Sequence, residues 1–111
     1  METKIRKTLK QWFPTAFEEL PENDNCSDYE ILCRFAKYTI SIINEDNETK
    51  KEPFRLILLL YSKGSLYEKN AIENEFLRIL AGEEKCMTLK EHLSLMPEEL
   101  KPVYLKTILG N

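Results

Sequence analysis

The stretch Asp28-Tyr29-Glu30-Ile31-Leu32-Cys33-Arg34-Phe35-Ala36-Lys37-Tyr38-Thr39-Ile40-Ser41-Ile42-Ile43-Asn44-Glu45 decides the fold. Its polar residues Glu30, Arg34, Lys37, Ser41 and Asn44 recur at spacings of 4, 3, 4 and 3. On a helix that spacing draws one narrow stripe. Ile31, Leu32, Cys33, Phe35, Ala36, Tyr38, Ile40, Ile42 and Ile43 occupy most of the remaining circumference. A helix that apolar must be packed on several sides. The pattern predicts a central helix near 28–45, with Phe35 and Ile42 in the core, Cys33 as a small core residue, and water meeting only the edge that holds Arg34 and Lys37.

Working outward, the chain marks its own helix ends. Ser or Thr stands three places before Glu just ahead of an apolar stretch at Thr15/Glu18, Ser27/Glu30, Thr49/Glu52, Ser65/Glu68 and Thr88/Glu91, with Thr8/Gln11 as a sixth spacing. In such a capping box the hydroxyl accepts from an orphan N–H at the helix start and the Glu reaches back to the cap. Chance placement would give about two. The three glycines, Gly64, Gly82 and Gly110, each follow an apolar helical pattern. They are expected as left-handed residues closing helices.

The remaining segments follow suit. Ile5, Leu9 and Trp12/Phe13 lie at helical spacing among Lys4, Arg6, Lys7 and Lys10, and Pro14 stops that basic amphipathic first helix (1–13). Thr15 to Leu20 offers one capped turn. Phe54 to Tyr61 contains a single charge, Arg55. Periodicity leaves helix and buried strand both open there; the richness in Leu, the Thr49 cap and Gly64 favour a helix, with Pro53 in its first turn. Ser65 to Ala81 is amphipathic, with Leu66, Ile72, Phe76, Ile79 and Leu80 on the buried side. A short helix follows at Thr88–Leu95. Pro102 is expected to break or kink the last element, leaving Val103, Tyr104, Leu105, Ile108 and Leu109 to dock. The expected fold is all-α: one domain over 1–111 with its core in 28–109, five to six helices in antiparallel hairpins, as an orthogonal bundle or a short HEAT-like stack around the 28–45 helix.

Composition narrows the function. The net charge of −3 is uneven: residues 1–13 carry +3, residues 14–52 carry −6, and residues 53–111 balance. No domain-wide basic face exists, which disfavours general nucleic-acid binding. Cys26, Cys33 and Cys86 form no C-x-x-C, and His92 is the single histidine. Neither a disulfide framework nor a zinc site is expected, and the usage suits a reducing cytoplasm. No apolar run is long enough to span a bilayer, and the N-terminus lacks the apolar region of a secretory signal. Gly-rich phosphate loops, G-x-S-x-G and H-E-x-x-H do not occur. No catalytic, cofactor or metal residues are expected. His92 reads as a surface or packing residue.

Two polar groupings could bind a partner. Glu18, Glu19, Glu22, Asp24, Asp28 and Glu30 are six acids without an intervening base. Some meet a helix dipole, and Glu22, Asp24 and Asp28 are the candidates for docking a basic protein. Asn70, Glu73 and Asn74 stand at i, i+3 and i+4 and would share a helix face, which as a rule is simply solvated. The Asn23–Asp28 portion lacks the glycine and bidentate Glu of a calcium loop.

The segments Tyr29-Glu30-Ile31-Leu32-Cys33-Arg34-Phe35-Ala36, Leu56-Ile57-Leu58-Leu59-Leu60-Tyr61, Lys69-Asn70-Ala71-Ile72-Glu73-Asn74-Glu75-Phe76-Leu77 and Leu95-Met96-Pro97-Glu98-Glu99-Leu100-Lys101-Pro102-Val103-Tyr104-Leu105 together resemble a family of small bacterial all-helical domains of unknown function. The resemblance covers most of 28–109 and rests on packing patterns. It implies an all-α fold, carries no catalytic residues to transfer, and implies an immunity-like role, in which the protein blocks a partner toxin by binding it. The leading expectation is a non-enzymatic cytoplasmic module for a protein partner. The alternative is a regulatory, nucleic-acid-associated domain using the basic first helix. The oligomeric state is left open.

Overall fold

Helix α1, Lys4–Trp12, opens the fold in the computed structural model, which describes residues 3–20, 25–46, 48–83 and 88–109. Glu22, Asp24, Cys86 and Gly110 lie outside the described residues. Thr3 caps α1 by accepting from the Arg6 N–H. Pro14 starts a single 3-10 turn, Pro14–Phe17. No side-chain hydrogen bond caps that turn, so the Thr15/Glu18 spacing is not a capping box.

The predicted central helix is α2, Asp28–Asn44. Ser27 and Glu30 form the reciprocal capping box, and Glu30, Arg34, Lys37, Ser41 and Asn44 are all exposed. Phe35 is fully buried and Ile42 nearly so. Thr39 is buried as well, its hydroxyl donating to the Phe35 carbonyl at 2.8 Å, which satisfies it inside the core. Asp46 closes the helix in the left-handed region, at φ 54°. Asp tolerates that conformation better than most residues.

Helix α3, Glu52–Ser62, settles the ambiguous stretch 56–61 as helix. Pro53 sits in its first turn as expected, but the cap residue is Lys51 rather than Thr49, and Lys51 makes no side-chain cap hydrogen bond. Neither described glycine has a positive φ. Gly64 serves a close approach instead: a Cβ there would stand 2.6 Å from the Leu60 carbonyl oxygen.

Helix α4, residues 66–82, begins with the second capping box, Ser65 with Glu68. It is α-helical over Leu66–Ala71, π-helical over Ile72–Leu77 and α-helical again over Arg78–Gly82. The π turn corrects the predicted buried face. Each residue advances about 100° in an α-helix and roughly 80° in the wider π turn. With that change, Ala71, Ile72, Phe76, Leu77 and Leu80 fall within an arc of about 140°, where an unbroken α-helix would spread them over about 240°. All five are buried. Leu66 falls on the opposite side and is exposed, and Ile79 is only half-buried.

Helices α5, Thr88–Leu95, and α6, Lys101–Leu109, complete the fold. Pro102 lies in the first turn of α6 and starts the helix rather than kinking it. Tyr104 is fully buried and Val103 and Ile108 are half-buried, but Leu105 and Leu109 face water, contrary to expectation. No strand occurs among the described residues. The six helices form an all-α globule with a radius of gyration of 13.3 Å, near the value of about 13 Å for a compact chain of this length.

The closest packing skips along the chain. α2 lies against α4, chiefly its π turn, and α4 in turn against α6; α1 and the 3-10 turn close over the other flank of α2. Phe35 is the hub. Its ring centroid lies 5.1 Å from Phe13, 5.6 Å from Phe76, and 6.4 Å from both Phe17 and Tyr38. Phe54 of α3 joins through Phe76 at 6.1 Å.

Candidate functional site

An open groove of about 480 Å³ runs along the exposed edge of α2. The helix period that buries Phe35 places Cys33, Arg34 and Lys37 on this side, one turn beyond Tyr29 and Glu30. Cys26, just before the cap, and Glu75, from the π turn of α4, complete the lining. The π turn accounts for Glu75. In an unbroken helix its angle would fall among the buried residues; the wider turn moves it to the edge of the buried arc, where it is half-buried. Cys33, expected in the core, is half-buried and lines the groove, because it stands at the boundary between the polar stripe and the apolar face.

Charge in the groove is mixed. Glu30 is held at the N-terminus of α2, its Oε1 3.5 Å from the Ser27 N–H and its own N–H 3.2 Å from Ser27 Oγ. There it also meets the positive end of the helix dipole. Arg34 reaches Glu19, Nη1 to Oε2 3.9 Å, in a pair open to solvent.

The predicted docking acids separate. Asp28 is buried, and its carboxylate accepts from the Thr3 hydroxyl and, at 2.9 Å, from the Tyr67 hydroxyl. It ties the entry to α1 and the start of α4 to the start of α2. The hydrogen bond to Asp28, helped by partial burial, raises the Tyr67 pKa above its ordinary value. Tyr67 also stacks on Tyr29, rings 6.4 Å apart and 14° from parallel, so the edge of the groove is propped from α4.

Asn70, Glu73 and Asn74 do not act as one face. Asn70 and Asn74 are exposed, whereas Glu73 is half-buried. Glu73 Oε2 accepts from the Tyr61 hydroxyl at 2.7 Å, and its Oε1 lies 4.0 Å from Lys106 Nζ. Lys69 Nζ stands 5.6 Å from the Tyr61 ring centre. Glu73 thus links α3, α4 and α6. Burial, then the bond to Glu73, pushes the Tyr61 phenol up to about 12. His92 is buried in α5, a packing position.

Sequence reasoning missed Cys26, Tyr29, Cys33, Arg34, Lys37 and Glu75 of the groove, and Tyr67 beside it, as site residues. Tyr67 and Asp28 are 39 positions apart, and Thr3 and Asp28 are 25 apart, with no local signal to join them. A signal for Glu75 does exist: the apolar residues 71, 72, 76, 77 and 80 fit no single face at 3.6 residues per turn.

The architecture and the groove define a small all-α domain with an amphipathic surface cleft. Residues 6–110 match the family described as Domain of unknown function (DUF7674), and the chain belongs to that family. No curated protein and no solved structure matches it.

Proposed function

We propose that this chain is a non-enzymatic, cytoplasmic protein-binding module, an immunity-like inhibitor that captures its partner in the groove along α2. The observation that carries this reading is the groove's lining. It combines an aromatic ring, two thiol-bearing residues and charges of both signs on the rigid edge of the central helix. Tyr and Arg are among the residues that dominate protein interfaces. Cys33 as a thiol on this surface suits a reducing compartment.

The acidic stretch contributes less than its composition suggests. Asp28 is buried and the exposed Glu30 serves the cap, so among its described members Glu18 and Glu19 are the exposed acids outside the capping box. The basic first helix is also partly committed, since Arg6 donates to the Cys26 carbonyl at 2.7 Å. Ile5 and Leu9 are buried, so removing residues 1–13 would open the core rather than test a surface.

The test is affinity purification from the native host with three proteins: wild type, Arg34→Glu/Lys37→Glu, and Glu18→Lys/Glu19→Lys. A partner retained by the wild type and the second variant but lost by the first supports capture in the groove. A partner lost only with Glu18→Lys/Glu19→Lys moves the interface to the acidic turn. Retention by all three sinks both placements.

A further inference from the structure

We infer that Cys33 is a reversible thiolation site, and that the groove along α2 recognises a small peptide disulfide, each half of which carries two carboxylates and one ammonium, as in glutathione disulfide. Cys26 and Cys33 are free thiols, both half-buried, and both line the groove. Its volume of about 480 Å³ falls within the roughly 300–1,000 Å³ of small-ligand sites.

The charges identify the ligand. Among the described residues, the charged side chains that line the groove are Glu30, Arg34, Lys37 and Glu75. Glu30 is held by the Ser27 cap. Arg34 meets Glu19 at 3.9 Å, through a side chain that is 89 % exposed, a contact that water largely screens. Lys37 and Glu75 have no side-chain hydrogen bond or ion pair among the described residues. The groove therefore presents two bases from α2 and one acid from α4. A glutathionyl group carries the complement, two carboxylates and one ammonium. A cysteinyl group carries one of each, and a hydroxyethyl group neither.

Cys33 stands where the sulfur of such a ligand arrives. Arg34 follows it directly, and Lys37 is four residues on along the same helix face. Helical side chains lean toward the N-terminus, so the Lys37 stem covers the turn that holds Cys33. The Cys33 thiolate attacks one sulfur of the disulfide. The new S–S bond joins Cys33 to one half, while the other half leaves with the electron pair as a thiolate and takes up the proton that Cys33 gave. The disulfide is the oxidant, and a reduced thiol reverses the step by the same exchange. The attached half occupies the groove and closes it to a protein partner, a consequence that rests on the capture reading above.

The test uses the purified full chain with no partner present. Exchange with glutathione disulfide, cystine and hydroxyethyl disulfide is followed by intact mass and peptide mapping. Each rate is divided by that of N-acetylcysteine with the same disulfide. Glutathione disulfide should lead hydroxyethyl disulfide by about tenfold, the size of three exposed charge contacts, with cystine between them and Cys33 as the mapped site. Lys37→Gln and Glu75→Gln should each lower the glutathione rate about twofold to threefold and leave the hydroxyethyl rate unchanged, with wild-type circular dichroism. Equal normalised rates for the three disulfides, labelling that favours Cys26 or Cys86, or charge variants that slow all three disulfides alike each overturn the inference. Failure here leaves partner capture standing, and failure of capture leaves these rates unmoved.

Discussion

Phe35 earns its central position from the residues around it. It is fully buried and touches the rings of Phe13 just after α1, Phe17 of the 3-10 turn, Tyr38 of α2 itself and Phe76 of α4. Truncating it empties a space that four elements share and that cannot collapse from one side. Phe35→Ala is expected to lower the unfolding free energy by about 3–5 kcal/mol, measured by urea denaturation; Arg34→Ala, on the exposed stripe, should change it by less than about 0.5 kcal/mol. Asp28 holds its neighbours by hydrogen bonding rather than by packing. Asp28→Ala leaves the Thr3 and Tyr67 hydroxyls without their shared acceptor and is expected to cost about 2 kcal/mol. A double-mutant cycle with Tyr67→Phe should show coupling of about 1 kcal/mol between the two positions. Additive effects there would mean that the 2.9 Å contact is not formed in solution.

At the scale of elements, α2 and α4, each with a complete capping box, also pack most closely on each other. The π turn is what lets α4 do so. It behaves as one inserted residue absorbed into a helix whose flanks keep their phase. Deleting Asn74, which is exposed inside that turn, should therefore yield an ordinary α-helix with Phe76, Leu77 and Leu80 still facing the core. Thermal unfolding should shift by no more than about 5 °C. Deleting Ser41, equally exposed but in the regular helix α2, swings Ile42 and Ile43 by about 100° and should prevent cooperative unfolding at ordinary temperature. If both deletions are equally damaging, the π turn is not an absorbed insertion.

The whole molecule is held together across sequence by a few polar ties, and one of them reports on pH. Tyr61 of α3 donates to Glu73 of α4, which also faces Lys106 of α6. The folded protein holds the Tyr61 proton more tightly than the unfolded chain does, with the pKa raised from 10.0 to about 12. Below pH 10 the contribution to stability is complete. Above it the unfolded chain releases the proton first, so stability falls as pH rises toward about 12. Urea midpoints between about pH 9 and about pH 12 should decline in the wild type and decline less in Tyr61→Phe. Tyr67, raised by its bond to Asp28, supplies part of the remaining slope. Identical declines in both proteins would remove Tyr61 from the account.

Local rules made the extent, the cap and the polar stripe of α2 legible, because a 17-residue helix with a capping box and a narrow polar stripe has one self-consistent reading. They also placed α3, α5, the exposed edge at Arg34 and Lys37, and the all-α class, since composition and the 3.6-residue period act within a few positions of chain. Tertiary structure alone decided that Asp28 is an internal tie, that Glu73 turns away from Asn70 and Asn74, that Leu66 and Leu109 meet water, and that Cys33, Arg34 and Glu75 share a groove. Each of these depends on which helix faces which. That choice was set by a π turn and by contacts between residues tens of positions apart, where backbone periodicity carries no information.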